Sequence, residues 1–190
     1  MDYKKIISKE IEYLQNLPLQ QIEDLVNFIH DSSGKVITSG MGKAGHIAHT
    51  FATTLTSTGT PAYFLHPSEA QHGDLGIIQP GDIVIVFSNS GKTREVLELI
   101  ELVNQLNYQN PILAIVGQLD EILKDNCKLS IVYGPVEEVC PLGLTPTTST
   151  TCMSVISDLI VVSLIDKGGF TKKEYSKFHH GGYLGHKSRK

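Results

Sequence analysis

Ser88-Asn89-Ser90-Gly91-Lys92-Thr93 gathers two serines, an asparagine, a glycine and a threonine into one short stretch. An apolar run, Ile83-Val84-Ile85-Val86-Phe87, precedes it, and a segment with helical spacing, Glu95 to Leu106, follows. A strand that runs into such a turn and opens a helix brings together hydroxyls, free backbone N–H groups and the positive end of a helix dipole. A phosphate monoester needs that combination, whereas a plain serine N-cap needs only one hydroxyl. Ser88, Asn89, Ser90 and Thr93 are therefore candidate phosphate-binding residues. A second turn, Gly40-Met41-Gly42-Lys43-Ala44-Gly45, has glycines at its first, third and sixth positions, as a dinucleotide fingerprint does. The acidic residue expected at the end of the next strand is missing, because Pro61-Ala62-Tyr63-Phe64-Leu65 leads to His66. A sugar-phosphate site with Gly42 at the turn and Lys43 reaching the ligand suits these residues better. A lysine in the first turn of a helix opposes the dipole, which favours a functional role over a solvated surface lysine.

Other candidates carry protons or metals, and each has a plainer reading. Glu95 lies on a first helical turn, where it could simply favour the dipole. Glu138 follows Glu137 in a polar loop, where a solvated pair is common. His179 stands beside His180 and a glycine pair, as a tail histidine would; a tail could also reach a neighbouring subunit's site. His66 and His72 flank a loop with Glu69 and Asp74, a residue set that a divalent metal such as zinc accepts. Their spacing matches no structural zinc pattern, so contacts to substrate or a neighbouring subunit compete, and the expectation is no metal. The hydroxyls from Thr145 to Thr151, Thr147 among them, suit a helix N-cap and could also close over a phosphosugar. Cys140, beside Pro141, reads as structural.

The elements that must position these groups follow from periodicity. Helical spacing is seen in Ile6, Ile7, Glu10, Ile11 and Leu14, and again in Ile22, Leu25, Val26 and Ile29, with Pro18 between. Strands are expected at Lys35–Ser39, Pro61–Phe64, Ile83–Phe87, Pro111–Val116 and Leu129–Tyr133. Helices are expected at Ala44–Thr56, at Glu95–Leu106 and from Pro146-Thr147-Thr148 to Gly168-Gly169. His66–Gly73 reads as a polar loop, and Gly181–Lys187 as loop and tail. The alternation implies an α/β fold whose parallel sheet is covered on both faces. Ligands bind such sheets at the carboxyl ends of the strands, where strand order reverses, and both glycine turns lie at carboxyl ends.

Composition bounds the function. The chain has 190 residues, 41% hydrophobic and 19% charged, which suits one domain with a full core. Its net charge of −4 leaves no basic surplus for a nucleic-acid backbone. The three cysteines, Cys127, Cys140 and Cys152, show no CxxC spacing, which argues for a reducing compartment and against a disulfide framework. Met1-Asp2-Tyr3-Lys4-Lys5 leads into a polar amphipathic segment, so no signal peptide is expected. Leu159–Ile165 is interrupted by Ser163 and too short to span a bilayer. The expectation is a cytoplasmic protein without nucleic-acid or membrane partners.

Several blocks together carry a family likeness: Gly40 to His46, Ser57-Thr58-Gly59-Thr60-Pro61, His66 to Gly76, Ser88-Asn89-Ser90-Gly91, Cys140 to Thr151, and His179-His180-Gly181-Gly182-Tyr183-Leu184-Gly185. They closely resemble the sugar isomerase (SIS) domain of D-arabinose-5-phosphate isomerases. The likeness runs from about Gly34 to Gly185, and the Cys140–Thr151 and His-Gly-Gly-x-Leu-Gly blocks are specific to this branch. It implies a three-layer α-β-α sandwich with a five-stranded parallel sheet, flavodoxin-like or Rossmann-like, in residues 34–190. Residues 1–33 are then N-terminal helices that pack on the core or swap with a neighbour's. It also implies interconversion of D-ribulose 5-phosphate and D-arabinose 5-phosphate without a cofactor, for synthesis of the eight-carbon acid sugar Kdo. A homo-oligomer, a tetramer, is expected, with a sugar nucleotide as inhibitor. The family's catalytic set falls on Lys43, Glu95, Glu138 and His179. Lys92 stands where many members have Glu, His180 replaces the usual Pro, and the sequence ends at Lys190, before the paired CBS domains that commonly follow.

The implied chemistry moves a proton between C1 and C2 through an enediolate. Glu138 or His179 would carry the carbon proton while the other shuttles between O1 and O2. Lys43 would stabilise oxyanion charge or hold a substrate hydroxyl, and Glu95 would orient Lys43 or act as a second proton carrier. Two other functions compete: isomerisation of a six-carbon phosphosugar such as 3-hexulose 6-phosphate, and phosphosugar sensing without turnover. The N-terminal helices lack a basic recognition helix, which argues against sensing on DNA.

Overall fold

Five apolar segments pair in parallel, and their order sets the two glycine turns side by side. A computed structural model of the chain describes residues 1–189. The strands are β1 (Val36–Gly40), β2 (Ala62–Phe64), β3 (Ile83–Ser88), β4 (Ile112–Val116) and β5 (Leu129–Val132), in the order β2-β1-β3-β4-β5. Strand order therefore reverses between β1 and β3, the flavodoxin-type switch point. Gly40 and Phe87 are partners in register there, so the turns that follow β1 and β3 leave the sheet from adjacent positions.

The helices are α1 (Tyr3–Gln15), α2 (Leu19–His30), α3 (Gly42–Ser57), α4 (Pro67–Ala70), α5 (Arg94–Gln105), α6 (Glu121–Asn126), α7 (Thr148–Gly168), α8 (Lys172–Phe178) and α9 (Gly182–Ser188). Successive side chains of a strand point to opposite faces, and both faces here are covered. Ile83, Ile85 and Phe87 pack with α2, α3 and α7 through residues such as Leu25, Phe51 and Ile156. Val84 and Val86 pack the other way, with Leu99 and Val103 of α5 and Leu123 of α6. α1 lies outside this sandwich, against α7, and α2 packs on α7 and β5.

The amino ends of the strands are tied by buried polar groups. The Asp82 carboxylate accepts from the backbone N–H of Lys35 at 3.1 Å and of Gln79 at 2.7 Å, and pairs with the Lys35 ammonium. Asn110 donates its amide to the carbonyls of Gln79 and Asp82.

The sequence expectations need four corrections. The His66–Gly73 loop contains α4 and leads into a 3-10 turn at Asp74–Ile77. The Gly181–Lys187 tail is helical instead. Its glycines fit because α9 crosses the end of α8 so closely that a Cβ on Gly185 would lie 2.5 Å from the His179 carbonyl oxygen. α6 and α8 were not anticipated; α8 starts with a capping box between Thr171 and Glu174. Leu159–Ile165 belongs to α7, which is long and apolar enough by length and composition to cross a membrane. α7 instead presents Cys152, Met153, Ile156, Ile160 and Leu164 to the core.

Candidate active site

Three helices begin near the carboxyl ends of the strands, and their first turns differ in what satisfies them. α3 starts after Met41, whose side chain makes no cap. Gly45 lets this start close on β1, because a Cβ there would lie 2.4 Å from the Gly40 carbonyl oxygen. Gly42 has a left-handed backbone, φ +57°. Lys43 is exposed on this turn, and no carboxylate pairs with it among the described residues.

α5 likewise begins without a side-chain cap at Thr93. The Thr93 hydroxyl instead pairs with that of Ser88 at 2.9 Å, and Ser88 Oγ accepts from Gly91 N–H at 3.1 Å. Ser90 Oγ accepts from Lys92 N–H. The hydroxyls thus shape the turn and leave the first-turn amides of α5 uncapped, the arrangement an oxyanion fills. Gly91 is required here: its φ is +70° and a Cβ would lie 2.4 Å from the Gln118 carbonyl oxygen. Asn89, exposed, accepts from Tyr133 Oη at its Oδ1 and from Gln118 N–H at its carbonyl. Lys92 lies 3.8 Å from Asp120 across a cavity of about 530 Å3 that Ser90 also lines. Glu95 sits half-buried on the first turn of α5, with Arg94 4.0 Å away.

α7 is closed by its own chain. Thr147 is its N-cap residue, but the cap is the Glu138 carboxylate. Glu138 accepts from the N–H and hydroxyl of Thr147 at 2.6 and 3.0 Å, from Ser149 N–H at 3.3 Å and from the Ser149 hydroxyl. The single proton of Thr147 Oγ1 is thus committed within the protein. Burial pushes the Glu138 carboxyl up, but the hydrogen bonds from Ser149 and Thr147 outweigh it and hold the group below the ordinary value of 4.5.

His179 ends α8. Its Nδ1 lies 3.0 Å from the Tyr175 carbonyl and its ring stacks on Tyr175 at 3.7 Å. A carbonyl only accepts, so Nδ1 carries a proton, and Nε2 is the ring nitrogen left to exchange one. Among the described residues, no hydrogen bond or ion pair joins Lys43, Glu95, Glu138 and His179 to one another. Phe178, next to His179, lines a cavity of about 660 Å3 with His49, Tyr63 and Phe64 along the β2 edge. That cavity is roomier than the one at Ser90 but offers no cation or uncapped helix start, so the chemistry favours the glycine turns.

The remaining candidates separate. His66 is half-buried beside Phe64, with its Nδ1 buried and without a hydrogen-bond partner among the described residues, while His72 is exposed. Among the described residues, no three His, Cys, Asp or Glu side chains group as metal ligands would. At Cys140 the Thr145 hydroxyl and the N–H groups of Leu144, Thr145 and Leu142 pull the thiol down to about 6. Tyr133, Ser149, Gln118 and Asp120 were missed as parts of these turns. The serine in the Cys140–Thr151 block was the one sequence signal for any of them.

A flavodoxin-ordered sheet whose switch point carries two uncapped helix starts is an α/β domain with its ligand-binding end left open. The chain belongs to the SIS domain family, which matches residues 28–163. It is 44% identical over 154 residues to arabinose 5-phosphate isomerase KdsD of Shigella flexneri, covering 81% of this chain and 46% of that one. The chain spans about half the length of the curated relatives it matches. Among solved structures, a Bacteroides fragilis protein, provisionally assigned as a phosphosugar isomerase involved in capsule formation, is 48% identical with a TM-score of 0.90, covering 95% of this chain and 97% of that one. An Escherichia coli CFT073 protein solved in complex with arabinose 5-phosphate is 31% identical with a TM-score of 0.85, covering 94% and 100% of the two chains.

Proposed function

We propose that this chain is an aldose–ketose isomerase that interconverts D-ribulose 5-phosphate and D-arabinose 5-phosphate. The observation that carries this reading is the uncapped start of α5 at the switch point, in a chain 44% identical to an arabinose 5-phosphate isomerase. The phosphate sits on the first-turn amides of α5 within reach of Ser88, Asn89, Ser90 and Thr93. Gly42, His72 and Thr147 border the sugar.

Glu138, ionised at neutral pH, takes the proton from C1 of the ketose and returns it to C2 of the enediolate. His179, held through its Nδ1, moves the hydroxyl proton between O1 and O2 with Nε2. Lys43 stabilises the oxyanion, and Glu95 orients Lys43. Every proton removed is returned, so the cycle balances without an oxidant, metal or cofactor.

In this reading residues 34–190 form the catalytic domain and residues 1–33 a helical pair packed on it. The enzyme works in the cytoplasm as a homotetramer and supplies Kdo for lipopolysaccharide or capsule, with a downstream sugar nucleotide as inhibitor. Exposed Phe178, Tyr183 and Leu184 around His179 support assembly through the terminal helices, which carries His179 to a neighbour's site.

Incubation with D-ribulose 5-phosphate, with and without EDTA, followed by NMR tests the reading. Approach to an equilibrium mixture with D-arabinose 5-phosphate, indifferent to EDTA, is expected. Tight phosphosugar binding without conversion would replace it with the six-carbon or sensing function. Mixing inactive Lys43 and His179 variants should restore activity if subunits share sites. No recovery after verified subunit exchange removes the sharing.

A further inference from the structure

We propose that α1 is a clasp on the loop that carries Glu138, and that Glu10 is the positioning residue at its centre. Three contacts tie α1 to this loop. Lys9 Nζ donates to Glu137 Oε2 at 2.8 Å, and Glu137 N–H donates to Tyr13 Oη at 3.0 Å. The third contact passes through a buried hydroxyl. Thr148 Oγ1 donates to Glu10 Oε1 at 3.0 Å and accepts from Val139 N–H at 3.2 Å. Val139 is the residue after Glu138, so the relay fixes the backbone that aims the carboxylate. α1 precedes residue 28, where the match to the SIS family model begins.

The direction of the relay is what makes Glu10 necessary. A threonine hydroxyl has one proton and can spend it on any nearby acceptor. On the first turns of a helix the usual acceptor is a preceding carbonyl, as Thr150 and Thr151 show by donating to the Thr147 carbonyl. Glu10 captures the proton of Thr148 instead and leaves a lone pair facing Val139 N–H. Stability alone does not explain a carboxylate here. Glu10 Oε2 is buried with no hydrogen-bond partner among the described residues, and an apolar side chain of similar size would avoid that desolvation.

The kinetic part of the test rests on the isomerase reading; its exchange part does not. E10L, E10Q, T148V and the E10L/T148V double variant are compared for kcat, KM and amide exchange at Val139. E10L and T148V should each lower kcat about tenfold or more, with KM within about twofold, because the carboxylate is displaced while the phosphate turn is untouched. E10Q keeps an oxygen acceptor for Thr148 and should retain near-normal kcat. The double variant should be no slower than the slower single one, since both break the same relay. Val139 N–H should exchange about tenfold faster in E10L and T148V than in the unaltered protein. The melting temperature of E10L should not fall.

Equal defects in E10L and E10Q, additive losses in the double variant, a loss confined to KM, or unchanged exchange at Val139 would each overturn the clasp. An unaltered protein that leaves D-ribulose 5-phosphate unconverted overturns the isomerase reading instead, and exchange at Val139 then judges the clasp alone.

Discussion

The two ends of the same sheet treat polar groups in opposite ways. At the amino ends Asp82 collects two backbone N–H groups and the Lys35 ammonium, and Asn110 spends its amide on two carbonyls. Each strong donor there has an acceptor within the chain. At the carboxyl ends the starts of α3 and α5 carry no side-chain cap, and Lys43, on the first turn of α3, has no carboxylate partner among the described residues. Buried polar groups left unpaired are costly, so proteins keep donors free where a ligand will accept from them. The amino end holds the sheet together, and the carboxyl end holds capacity in reserve.

The largest effect should come from the carboxyl end. E138Q removes the proposed carbon base and should lower turnover at least about a hundredfold. Intact turnover in E138Q would take Glu138 out of the proton path. Because its hydrogen bonds hold Glu138 below 4.5, it stays an active base on acidification until the pH falls through that lowered value. Its contribution to stability has the same sign, present above the ordinary carboxylate value and lost below the lowered one. A Glu138-dependent acid limb of kcat/KM above about pH 5 would contradict this.

Next comes D82A, which strands two backbone N–H groups and a partly buried ammonium. It should destabilise the fold by about 3 kcal/mol, read by denaturant unfolding, with kcat and KM of the remaining folded protein unchanged. A changed KM would mean the two ends are coupled. A smaller pair sharpens the contrast. A Cβ on Gly34 would lie 2.0 Å from the Gly81 carbonyl oxygen, at the amino end, and one on Gly91 2.4 Å from that of Gln118, at the carboxyl end. G34A and G91A should both lower the melting temperature. G91A alone should also raise KM about tenfold by disturbing the α5 start.

The smallest effect compares one residue type at both ends. Cys127, before β5, is pushed up to about 11 by burial, whereas Cys140, beyond β5, is drawn down to about 6 by the Thr145 hydroxyl and neighbouring N–H groups. At about pH 7 iodoacetamide should label Cys140 at least about tenfold faster than Cys127, as peptide mass spectrometry would read. Equal labelling would remove the electrostatic difference.

The strands were legible because apolar β-branched runs such as Ile83–Phe87 are buried on both faces and leave no competing pattern. The α5 turn was legible for a similar reason: its hydroxyls and glycine are adjacent in sequence. α6 was not, since Leu123 is its one buried residue and a six-residue polar helix has almost no periodicity to read. α8 did announce itself through Thr171 and Glu174, a signal passed over in the segment before His179. The cap on α7 was hidden differently. Thr147 and the hydroxyls around it suggested a self-capped helix, but the acceptor comes from Glu138, across a loop. Glu10 lies farther still from Thr148, and periodicity marked it only as a helical position. Such groups meet through tertiary structure, which local spacing does not encode.

α7 has one further consequence, and it concerns the order in which the chain is made. All five strands precede Thr148, so the sheet can leave the ribosome before the helix that must cover it. Until it docks, α7 is an apolar segment of membrane-spanning length in water. A lesion that delays β1, β3 or β4 would therefore expose a sticky helix to chaperones and bilayers, and the cell would register it as lost yield before it registered slower chemistry.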